Sequence, residues 1–146
     1  MSGVLGVAIA VSIVSMNVSG EAAPAPKDAC LGVVASGFSS AVGHAILRLY
    51  RPGDDVTRPP PVSRPVAIKD GGARWCLDVG PGDYAVVVLH DLNDNGRVDH
   101  NILGIPAEPL GFSGGFRLGL LSGFPTFAKL RFSYVPGMPP VPIVVR

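Results

Sequence analysis

A chain of 146 residues has the length of one domain, and its formal net charge of +1 gives no footing for nucleic acid or an anionic surface as partner. Its 19 glycines and 15 prolines break runs of Val, Ile and Leu into short pieces. Such pieces favour strands and tight turns over long helices, so the expected class is all-β.

The chain opens on an apolar run, Val4 to Val18, followed by small residues and Pro24-Ala25-Pro26. That is the pattern of a secretory signal peptide, with Gly20 and Ala22 satisfying the small-x-small rule for cleavage after Ala22. The expected division is a signal peptide over 1–22, a Pro/Ala-rich spacer over 23–29 and one domain over 30–146. No Lys or Arg precedes the apolar run, so retention as a short anchor is the alternative, although the run falls short of the roughly 20 residues of a spanning helix. The expectation is an exported chain, periplasmic or secreted, that meets a membrane only if this segment is kept. In that compartment Cys30 and Cys76 can form a disulfide, contributing roughly 3–4 kcal/mol by loop entropy; two separate buried thiols are the other reading. Their spacing excludes a CxxC redox centre.

Cys30–Ala35 and Ala45–Tyr50 read as the first two strands, with Gly43 in a turn between them. Arg51 to Arg64 holds too many prolines for a central strand and reads as a polar, partly polyproline-like loop, with Asp54 and Asp55 as turn residues. Val66–Ile68 is a short strand, and Asp70-Gly71-Gly72 signals a hairpin turn. From Ala73 to Val79 the residues alternate, with Trp75, Leu77 and Val79 on one face and Arg74, Cys76 and Asp78 on the other. Tyr84 to Leu89 is the most apolar strand after the N-terminal run, expected to be central and covered on both faces. Tyr84, just after a Gly-Pro-Gly turn, suits a tyrosine corner. The glycine-rich Gly114–Gly123 has no clear period. Pro125 to Tyr134 alternates like a strand, and Ile143–Val145 reads as a last edge strand. The sum is an antiparallel β-sandwich of about seven strands.

The densest chemistry lies between His90 and Ser113. Asp91, Asn93, Asn95 and Asp99 place side-chain oxygens at the first, third, fifth and ninth positions of a calcium loop, with Gly96 at the sixth and the Arg97 carbonyl at the seventh. Calcium requires hard oxygen ligands gathered around one point, and the glycine permits the sharp turn. The twelfth position, where a bidentate Glu is expected, holds Ile102, so Glu108 is the candidate to supply that ligand. With three carboxylates the affinity would be weak, roughly 10⁻⁴–10⁻³ M. The competing reading is a hairpin turn, with Asn95-Gly96 in a type I′ turn and Asx side chains bonding local backbone.

His90 adjoins the cluster as a candidate base or ligand, although a lone histidine at a strand end is more often hydrogen-bonded structurally. His100 reads as an exposed loop residue, and no zinc spacing is present. Gly111-Phe112-Ser113-Gly114-Gly115 matches GxSxG, but no histidine follows Ser113 to complete a hydrolase triad, and a glycine-rich turn is the better reading.

The order GxYAxxxxHDxNxNGxxDxNxxGxPxExxGFS, from Gly82 to Ser113, resembles a bacterial exported family catalogued as domain of unknown function 2141. The matching residues include Tyr84, His90, Asp91, Asn93, Asn95, Gly96, Asp99, Asn101, Gly104, Pro106, Glu108 and Ser113, and Pro125, Phe127 and Ala128 near the end also agree. The resemblance implies a transthyretin-like or immunoglobulin-like sandwich outside the cytoplasm and brings no assigned activity. The Arg51–Arg64 insert and the Pro-Gly-Met-Pro-Pro stretch look peculiar to this member. The functional expectation is a non-enzymatic binding or structural module of the cell envelope, with calcium in its loop and an envelope protein or small ligand as partner. Two alternatives stand beside it. One is a carrier or enzyme built on His90, Asp91, Asp99 and Glu108; the other is a domain that pairs its sheet edges with a partner.

Overall fold

The computed structural model describes residues 29–146; the signal peptide and most of the spacer expected before them lie outside the described residues. Strand β5 (Gly82–Asp91), ten residues long, is the axis of the fold. It is apolar in both registers, and both faces are covered. Tyr84, Val86 and Val88 enter the main core, while Ala85 and Val87 enter a second cluster with Tyr50, Val56, Phe112 and Leu130. Neither face offers the backbone water, so the strand must be paired along both edges.

Those pairings build two sheets. β2 (His44–Tyr50) lies antiparallel to β5 on one side, with β3 (Val62–Ala67) outside it. On the other side β6 (Leu110–Phe112) pairs with the C-terminal half of β5 and β7 (Phe132–Tyr134) with its start. The second sheet has the order β4-β1-β8, from β4 (Gly72–Leu77), β1 (Leu31–Ser36) and β8 (Val141–Val144). Among the described residues eight strands thus form a nearly all-β sandwich of five and three strands, against the seven expected. β8 lies at the edge as anticipated but runs parallel to β1. Beyond it, Arg146 exchanges both backbone bonds with Leu110, stitching the two sheets together.

The alternation of β4 holds, with Ala73, Trp75 and Leu77 buried and Arg74 and Cys76 exposed. Cys76 and Cys30 are bridged on that outer face, their Cα atoms 5.3 Å apart, closing a loop worth roughly 4 kcal/mol in denatured-state entropy. Asp70 and Gly71 both adopt positive φ, the type I′ geometry, and the turn carries the chain from one sheet to the other. Tyr84 donates its hydroxyl to the Gly80 carbonyl at 2.8 Å, tying the start of β5 to the turn before it.

Two segments depart from the alternating patterns. Phe127–Leu130 forms one helical turn, α1, instead of continuing a strand, and leaves Ala128 exposed while Leu130 seals the second cluster. Four residues are too few for periodicity to distinguish helix from strand. The proline-rich insert is not solvated throughout. Val56 is buried, Tyr50 donates its hydroxyl to the Arg58 carbonyl at 2.9 Å, and Val62 to Pro65 already belong to edge strand β3. Pro65 is tolerated there because an edge strand leaves its outer N–H positions unpaired.

Candidate functional site

The loop that leaves β5 is closed by three carboxylates. Asp91 is the last residue of β5 and 1% exposed; its Oδ1 accepts the Asn95 N–H at 3.2 Å and its Oδ2 the Gly96 N–H at 2.7 Å. Glu108, 7% exposed, grips both ends of the loop, with Oε1 accepting from Leu92 N at 2.9 Å and Oε2 from Asp99 N at 3.2 Å. Asp99 receives the side-chain amides of Asn93 at 2.6 Å and Asn95 at 2.9 Å. Asn93 and Asn95 turn their own oxygens onto Asn95 N and Arg97 N, as Asx turns do. The hairpin reading therefore needs one correction. The positive φ values fall on Asp94 and Gly96, with Asn95 between them, so no type I′ turn sits at Asn95-Gly96.

Five of the six residues singled out from the sequence thus join one hydrogen-bonded network through their side chains, and Arg97 joins it through its backbone N–H. Each carboxylate oxygen in the network carries one N–H and keeps acceptor capacity for another partner. Among the described residues, ion pairs join His44 to Asp94, Arg58 to Asp55 and Arg131 to Asp83, and none reaches Asp91, Asp99 or Glu108. Among the described residues no group of three or more His, Cys, Asp or Glu side chains is placed to hold a metal ion. Gly43 explains how the loop is seated: its φ is +73°, and a Cβ there would collide with the Asp91 carbonyl.

The other candidates are distributed differently. His90 is fully buried; its Nε2 contacts the Val42 carbonyl at 3.0 Å and its ring meets Phe38 edge-on. As the strand neighbour of Asp91 it points to the opposite face; an Nε2–H tautomer donates to Val42, and its Nδ1 has no partner among the described residues. His100 is exposed. Ser113 is 1% exposed; its hydroxyl accepts the Val86 N–H at 2.8 Å and donates to the Leu130 carbonyl at 2.6 Å. It staples α1 to β5, which occupies the group a nucleophile would need free. Asp55 takes both the hydroxyl and the N–H of Thr57, which hold its carboxyl below the usual range, and Asp54 accepts from Arg51 N; both are turn residues.

One residue went unread. Arg48 lies on the outer face of β2, opposite Val87 of β5, and is only 5% exposed. Its Nη2 donates to the Gly96 carbonyl of the loop at 3.1 Å, and its Nε has no partner among the described residues. A cavity of about 400 Å³ opens over it, floored by Arg48, Val87 and Phe112. Its walls come from the proline-rich insert (Val56, Thr57), the signature loop (Val98, His100, Pro106) and the glycine-rich segment (Leu118, Phe124). The available signal was a lone arginine within AILRLY, an otherwise apolar strand.

Over residues 33–138 the chain matches the family model described as "Uncharacterized protein conserved in bacteria (DUF2141)". Neither the curated proteins nor the solved structures contain a match to it.

Proposed function

The chain belongs to the DUF2141 family of bacterial proteins, and from that premise we propose that it is a non-enzymatic, exported binding module whose Asp91–Glu108 loop takes up a weak calcium ion. The observation that carries this reading is the set of three carboxylates, two of them buried, that share one loop with no cation among the described residues paired to them. Buried anions without a counter-charge are costly, and backbone N–H groups offset only part of that cost. The ligands would be the side chains of Asp91, Asn93, Asn95, Asp99 and Glu108 with the Arg97 carbonyl. The asparagine amides that now donate to Asp99 would give way to the ion. The disulfide is compatible with an oxidising compartment, and the N-terminal sequence supports export. Against an enzyme stand the burial of His90 and the full engagement of Ser113.

The test is a thermal melt in chelator and in millimolar calcium, beside Asp91→Ala. An ion that binds only the folded state raises its melting temperature, and the variant loses the rise. An unchanged melting temperature for the parent chain would sink the calcium reading and leave the loop as a self-closed turn.

A further inference from the structure

The geometry points to the cavity over Arg48 as a binding site for a small anionic amphiphile, with a carboxylate seated on the Arg48 guanidinium and an apolar body along the cavity walls. The assignment rests on the reading of the chain as a binding module and names what that module takes.

Three observations converge. The first is charge. Arginine stays protonated at any physiological pH, so Arg48 is a buried cation, yet no carboxylate pairs with it among the described residues. One hydrogen bond to a neutral carbonyl leaves the Nε–H unmatched. Native structures rarely leave such a donor buried without cause. The Nε itself is enclosed, but Arg48 borders the cavity, and a buried guanidinium without a carboxylate partner is suited to an oxyanion.

The second is shape. The cavity of about 400 Å³ falls in the range of small-molecule sites. Apart from Arg48 its polar lining is sparse, chiefly Thr57 and His100, while Val87, Phe112, Leu118 and Phe124 offer apolar surface. Few polar anchors in an apolar recess suit a ligand with one polar head. The third is the rim. The two loops that flank the mouth also carry Ile102, Leu103, Leu120, Leu121 and Phe124, each at least 76% exposed. Exposed apolar side chains on the loops beside an apolar recess suit a ligand with an apolar body. The loop that carries Leu120, Leu121 and Phe124 is held in place: the Lys129 ammonium donates to the Ser122 and Phe124 carbonyls at 2.8 and 2.9 Å.

Decanoate and decan-1-ol share an apolar body and differ in charge, so calorimetric titration of the folded chain with each isolates the role of Arg48. The expected result is saturable decanoate binding, weakened about tenfold or more in Arg48→Met, with decanol weaker than decanoate and indifferent to the substitution. Phe124→Asp gives a second reading from a position too exposed to matter for folding. A carboxylate at the mouth repels the anion and also weakens decanoate. Equal affinity for decanol and decanoate would overturn the anion assignment, and saturation by neither would overturn the site. Calcium melts on the same preparations separate the two proposals. A calcium shift without decanoate binding removes only the ligand assignment, and decanoate binding without a calcium shift removes only the metal.

Discussion

Glu108 shows how one side chain can define a long loop. Sixteen residues separate it from Leu92, yet its two oxygens hold the loop at Leu92 and again at Asp99. Glu108→Gln keeps one acceptor and turns an NH₂ group towards a buried N–H, so it should cost about 2 kcal/mol in urea unfolding. Asp94→Asn is the matched control in the same loop. Its partner His44 lies 2.6 Å away, but both side chains are about half exposed, and such a pair contributes little. Equal effects of the two substitutions would contradict the clamp. The residue scale is also where reading from sequence reached furthest and failed most plainly. Asp91, Asn93, Asn95, Asp99 and Glu108 were legible because oxygen-bearing side chains recur at set intervals around a glycine. Arg48 was not, because its burial comes from the insert and the glycine-rich segment folding over β2, and neither has a period to read.

At the scale of elements, β4 and β5 were legible for the same physical reason. An alternating strand announces one buried face, and a continuous apolar one announces two. The one-turn helix α1 was not, because over four residues Phe127 and Leu130 fit a helix as readily as Ala128 and Leu130 fit a strand. The parallel pairing of β8 with β1 was also hidden, since strand direction leaves no mark on composition. The proline-rich insert reads as a polar, partly polyproline-like loop, yet Tyr50 docks it. Burial drives the Tyr50 phenol from an ordinary 10.0 up to about 12, against the opposing pull of Arg48. The folded chain then keeps a proton that the unfolded chain has lost. Stability is complete below pH 10 and declines as pH rises towards about 12. Spectrophotometric titration should resolve a phenol with its midpoint near 12 that disappears in Tyr50→Phe. A titration in which Tyr50→Phe removes a component near 10 would show that the insert does not cover the ring.

Across the whole molecule, β5 is paired along both edges, and three segments without regular strand structure gather on one side of it. The signature loop, the proline-rich insert and the glycine-rich segment share no sequence pattern, yet all three wall the cavity over Arg48. The Arg48–Gly96 bond connects that cavity to the loop, one residue before the Arg97 carbonyl proposed as a ligand. Calcium titrated into the isotope-labelled chain, with its backbone amides followed, tests the calcium site proposed in the Asp91–Glu108 loop. Saturable shifts are expected at Asn95, Gly96 and Arg97 and at the two amides held by Glu108, Leu92 and Asp99. Amides that stay still there at millimolar calcium, or that move only elsewhere, would contradict the proposed site.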